Sequence, residues 1–90
     1  MQRLGLFTVE TVDRFAANKE CLEFTEGCLL DNFIFWDKES RQYFMCLAHY
    51  ENVWSSCYEV FVDDGDGHEL FNAWHGLMNL YEEINQRSKR

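Results

Sequence analysis

Ninety residues can enclose one hydrophobic core and not two, and a chain that is 47% apolar and 17% aromatic has too much surface to bury to stay disordered. Between Leu4 and Gln86 sixteen acidic side chains stand against four basic ones, Arg14, Lys19, Lys38 and Arg41, a formal charge of minus twelve. Such a body repels nucleic acid and anionic membrane and attracts basic protein surfaces, and no run of about eighteen apolar residues is present to span a bilayer.

The remaining bases, Arg3, Arg87, Lys89 and Arg90, sit towards the two ends, and residues 1–90 read as a single α+β domain. Met1 to Val9 has neither the long apolar region nor the small-residue cleavage site of a secretory signal. The expected compartment is therefore the cytoplasm, where Cys21, Cys28, Cys46 and Cys57 stay reduced.

Leu4 and Leu6 can pack onto the core from an extended segment, or form a short strand. Thr8 followed by Val9, Val12, Phe15 and Ala16 has the spacing of a short amphipathic helix ending near Asn18, with Thr8 as N-cap and Glu10 and Asp13 where the dipole favours acid. From Glu20 to Thr25 the pattern alternates, Leu22 and Phe24 on one side and Cys21, Glu23 and Thr25 on the other, which predicts a first strand. Glu26-Gly27 breaks it. Cys28 to Trp36 reads as a second strand, Asp37 to Ser40 as a hairpin turn, Gln42 to Tyr50 as a third strand, and Val53 to Val62 as a fourth after the turn at Glu51-Asn52.

Asp66 and Glu69 fit a capping box, after which Leu70, Ala73, Trp74, Leu77, Leu80, Tyr81 and Ile84 recur at steps of three and four. The fold class expected is α+β: a helix, a three- to four-stranded antiparallel meander, and a C-terminal helix on the sheet, with both helices on one face. The second and third strands complicate that picture. Leu30, Ile34 and Trp36 oppose Phe33 and Phe35, and Phe44, Cys46 and Ala48 oppose Tyr43, Met45 and Leu47, so both faces are apolar. A second copy or a partner covers the outer face, or each helix covers one side.

Asp63, Asp64, Asp66 and Glu69 lack the EF-hand spacing, because His68 falls where an oxygen ligand is needed, so no metal is expected there. Cys46 and His49 have a zinc-like spacing but lie on opposite faces of a strand. No Gly-rich phosphate loop or nucleophile elbow marks an enzyme, and no cofactor is expected. A small enzyme or metal-dependent sensor using Asp63, Asp64 and His68 is the competing class.

Carboxylates spaced over a compact surface can instead occupy a site shaped for phosphates. The candidates are Glu20, Glu23, Glu26, Asp31, Asp37, Glu39, Glu51, Asp63, Asp64 and Asp66, most at strand ends and turns. Trp36, Tyr50, Trp54 and Tyr58 are the candidate aromatic anchors, since Trp and Tyr dominate interface energetics.

Helix, three-strand meander and helix, combined with small size and strong acidity, resembles the phage-encoded anti-CRISPR inhibitors of Cas nucleases and, more broadly, phage DNA mimics. The resemblance covers the whole chain through element order and charge. It implies a non-enzymatic inhibitor that evades antiviral defence by binding a nuclease's basic nucleic-acid channel, without touching nucleic acid or membrane. Small immunity proteins and antitoxins that bind a toxin share the acidity, and a homodimeric interaction module is a third reading.

Overall fold

The computed structural model describes residues 1–27, 29–52 and 55–88, with the side chains of Glu51, Asn52, Asn85, Arg87 and Ser88 outside that description. The elements are β1 (Gln2–Phe7), α1 (Val9–Ala16), β2 (Glu20–Thr25), β3 (Asn32–Asp37), β4 (Gln42–Asn52), β5 (Ser55–Asp63) and α2 (His68–Ser88). The strands form one antiparallel sheet in the order β1-β5-β4-β3-β2. The expected meander is therefore present, and the segment holding Leu4 and Leu6 adds a fifth strand beside β5. None of the described helices is long and apolar enough to cross a membrane.

The helices cover opposite faces, because the two central strands are apolar on both. Beneath α1 lie Phe35, Phe44, Cys46, Tyr58 and Val60, closed by Val12 and Phe15. Beneath α2 lie Ile34, Met45 and Leu47, closed by Leu70 and Trp74. Ile34, Met45, Leu70 and Cys46 are almost wholly enclosed, and each large apolar side chain so buried contributes about 1.5–3 kcal/mol before entropy losses. A placement of both helices on one face would have left one of these clusters in water.

Local chemistry sets the ends of the helices. Thr8 caps α1, its Oγ1 accepting from the Thr11 N–H at 3.2 Å, as the spacing predicts. Ahead of α2 the Asp66 carboxylate accepts from the His68 N–H at 2.9 Å, while the Glu69 carboxylate pairs with the amino group of Met1 at 3.1 Å. Asp66 therefore closes a turn one residue ahead of the helix, and the expected capping box does not form because Glu69 reaches across to Met1.

One alternation and two strand boundaries differ from the expected ones: β4 runs through Glu51 and Asn52, where a turn is expected, because Asn52 still pairs with Ser55 of β5. An extra residue at Leu22 bulges β2, so Cys21 and Phe24 pair with Phe35 and Phe33 and fall on the α1 face together. The alternation expected for Leu22 and Phe24 is lost at that bulge. Strand β3 starts at Asn32, not near Cys28, because side chains satisfy the preceding backbone: Asp31 accepts from the Gly27 N–H and Tyr50 accepts from Leu29 and Leu30. Cys28, Val53 and Trp54 lie outside the described residues. A register shift between Arg3 and Gly5 bulges β1 as well, so both edge strands of the sheet are irregular.

Gly67 has φ +81° where the chain enters α2, and a Cβ there would stand 2.8 Å from the Tyr43 ring. Gly67→Ala is therefore expected to lower the unfolding free energy by about 1–3 kcal/mol, read from the midpoint of urea unfolding. Cys46 is buried while Cys21 is exposed, and burial pushes the Cys46 thiol up to about 12. Alkylation followed by mass spectrometry at about pH 8 is expected to label Cys21 in the native protein and Cys46 only after denaturation.

Candidate functional site

Strand register sorts the acidic residues into two groups at opposite ends of the sheet. Glu20 pairs with Trp36, Asp37 with Gln42, and Tyr43 with Asp63, which places Glu20, Asp37, Glu39, Asp63, Asp64 and Asp66 at one end. The other end holds Glu26, Asp31, Tyr50 and the backbone of Glu51. Glu23 lies between them, half-buried and paired with Ile34. The candidates do not form a single site, and Trp54 and the Glu51 side chain lie outside the described residues.

At the first end several carboxylates are engaged in holding the chain. Asp63 is buried and accepts from the Gly65 N–H at 2.9 Å. Asp37 accepts from the Ser40 hydroxyl at 2.8 Å and the Glu39 N–H at 3.3 Å, with the Lys19 ammonium 3.8 Å away. The Ser40 hydrogen bond, the Glu39 N–H and the Lys19 charge together hold the Asp37 carboxyl below its ordinary value. Glu20, Glu39 and Asp64 are exposed and have no side-chain hydrogen bond or ion pair among the described residues. Trp36 and Tyr43, with ring centroids 4.5 Å apart, lie beside this end, and Tyr43 packs edge-on to Phe71 at 5.6 Å.

Three of the four non-terminal bases, Lys19, Lys38 and Arg41, sit at this same end, in or beside the Asp37 turn and the start of β2. Its acidity is therefore partly offset. Two of the three residues named above for a metal-dependent sensor are also engaged: Asp63 with Gly65, and the His68 ring with Asn72 at 3.2 Å.

At the opposite end, an open groove of about 830 Å³ lies between the last turns of α2 and the sheet. Thr25, Gly27 and Tyr50 line one wall; Met78, Tyr81 and Ile84 line the other. Glu26 and Glu82 also face it, and its lining among the described residues contains no Lys, Arg or His. The Tyr50 hydroxyl builds the sheet-side wall, accepting from the Leu29 and Leu30 N–H groups at 3.2 Å each and donating to the Leu30 carbonyl at 3.4 Å. A Cβ at Gly27 would collide with the Leu30 carbonyl, so only glycine fits this close turn.

The aromatic anchors separate by burial. Tyr58 is 4% exposed and belongs to the core beneath α1, whereas Trp36 is half-buried and Tyr50 exposed. The groove itself is absent from the sequence reading, in which Tyr81 and Ile84 count as core because they continue the period of Leu70 and Trp74. The helical period runs unbroken through Tyr81 and Ile84, so nothing in the sequence marks where the last turns leave the sheet.

Tyr50→Phe removes the hydroxyl from two backbone donors and one acceptor. It is expected to cost about 0.5–1.5 kcal/mol and to speed amide exchange at Leu29 and Leu30, read by hydrogen-exchange NMR, while Val60 in the core is unchanged. No family model, curated protein or solved structure matches this chain.

Proposed function

We propose that the chain is a non-catalytic acidic binding protein that docks on a cationic protein surface, with the nucleic-acid-binding face of a nuclease as the surface its charge suits best. The observation that supports this reading is the set of exposed carboxylates, Glu20, Glu39 and Asp64, that form no side-chain hydrogen bond or ion pair among the described residues and gather at one end of the sheet. Held apart at the start of β2, in the β3–β4 turn and after β5, they present negative charge without the entropy loss that ordering a flexible acidic tail would cost.

Electrostatic attraction of this kind raises association rates and weakens with salt, since the Debye length is about 8 Å at physiological ionic strength. Trp36, beside the same end, supplies an aromatic surface where a partner can exclude water. The pair with zinc-like spacing does not converge, because Cys46 is enclosed beneath α1 and His49 alternates to the other face. The homodimer reading began from an uncovered sheet face, and α1 and α2 now account for both faces.

The test is displacement of labelled duplex DNA from a panel of purified nucleases, Cas nucleases among them, followed by fluorescence anisotropy at low and high salt. Displacement is expected from at least one nuclease at low salt. The combined Glu20→Gln, Glu39→Gln and Asp64→Asn variant is expected to lose about tenfold in that effect, with an unchanged circular dichroism spectrum. Displacement from none of the panel, or equal displacement by the variant, overturns the proposal.

A further inference from the structure

The last turns of α2 stand off the sheet. Leu70 and Trp74 are buried, but Leu80 is 51% exposed, Tyr81 42% and Ile84 50%, although all continue the apolar period of the packed turns. The apolar stripe therefore continues into turns that stand off the sheet, and Met78, Tyr81 and Ile84 on it form one wall of the groove described above. Across the gap stand Thr25, Gly27 and Tyr50, fixed by the hydrogen bonds of the Tyr50 hydroxyl and by the collision that excludes any Cβ at Gly27. This wall is built rather than left over, and it holds the groove open beside a continuous apolar helix face.

We infer that this groove receives a cationic amphipathic helix from a partner protein, an inference that rests on the reading of the chain as a partner-binding protein but uses the opposite end of the molecule. The occupant's chemistry follows from charge and pattern. A helix laid along α2 would meet Met78, Tyr81 and Ile84 with apolar anchors repeating at three and four residues. Its flanks would meet Glu26 and Glu82, with no basic side chain among the described lining to oppose Lys or Arg.

A second copy of this chain is a poor occupant by the same criterion. Its own matching stripe on α2 carries Glu82 and Glu83 as well as Arg87, so it is not the uniformly cationic helix that Glu26 and Glu82 of the groove favour. The charge of the whole chain, minus eight, adds repulsion at longer range.

The experiment uses the full chain and a Leu/Lys peptide of about 14 residues, patterned for an amphipathic helix, against a scrambled peptide of the same composition. Binding is followed by anisotropy of the labelled peptide, and helix formation by circular dichroism. The patterned peptide is expected to bind saturably and become helical, and the scrambled one to bind at least about tenfold more weakly. Ile84→Glu and Tyr81→Ala are each expected to weaken binding about tenfold, whereas Leu6→Glu, at an equally exposed site on β1, leaves it unchanged.

Equal binding of the scrambled peptide, or unaltered binding by both Ile84→Glu and Tyr81→Ala, overturns the groove. So does sedimentation showing a dimer that Ile84→Glu dissociates, because a second copy then occupies it. The combined Glu20→Gln, Glu39→Gln and Asp64→Asn variant separates the two proposals. It is expected to keep peptide binding while losing DNA displacement; if the native chain binds the peptide but displaces DNA from no nuclease, the groove stands and the nuclease reading falls, whereas displacement without peptide binding sinks the groove alone.

Discussion

Strands β3 and β4 present large apolar side chains to both sides, and that two-sidedness determines how the rest of the chain is arranged. Ile34 and Met45 on one face and Phe35, Phe44 and Cys46 on the other each need a cover that excludes water. With two helices available, one must go to each side. Helix α1 crosses between β1 and β2, which are the two outermost strands, so the chain spans one face of the sheet in a single connection. Helix α2 then closes the opposite face from the far end of β5. Eight residues suffice for α1 because Phe15 reaches the core edge-on to Phe44 at 4.7 Å, and Lys19 completes the cover with its ammonium 4.0 Å from the Phe15 ring centre.

Acidic residues in this protein do two different jobs, and the backbone separates them. Where a turn leaves N–H groups without a ladder partner, a carboxylate fills the gap: Asp31 for Gly27, Asp37 for Glu39, Asp63 for Gly65 and Asp66 for His68. Glu59, on β5, is engaged differently, in an ion pair with Arg3 at 3.0 Å. Carboxylates without such duties, Glu20, Glu39 and Asp64, point to water. Composition alone reports the sum of these groups, so a high net charge overstates how many acids are free to meet a partner.

The sequence made some of this legible. The cap at Thr8, the meander and the long apolar period of α2 all depend on near neighbours, and local patterns read them well. The assignment of helices to faces depends on strand order, which no single segment encodes. The bulge at Leu22 depends on how β2 registers against β3, and it turns Cys21 and Phe24 to one side against their simple alternation. The late start of β3 is set by Tyr50, about twenty residues further along; a hydroxyl acting at that separation leaves no mark in the loop it stabilises. The candidate carboxylates were identifiable as acids at turns, but their division between two ends follows from antiparallel register. The groove follows from the last turns of α2 standing off the sheet, which periodicity alone conceals.

The bulged edges of the sheet bear on behaviour at high concentration. A flat outer strand offers a template on which further chains can add, and many small proteins hold such growth in check by charge repulsion alone. Here Leu22 interrupts the template on one side and the shift between Arg3 and Gly5 interrupts it on the other. Acidification that neutralises the carboxylates removes the repulsion but leaves both irregularities in place. While the fold persists, the chain should then cluster into amorphous, redissolvable precipitate, with ordered fibril growth blocked by geometry even after its charge has been lost.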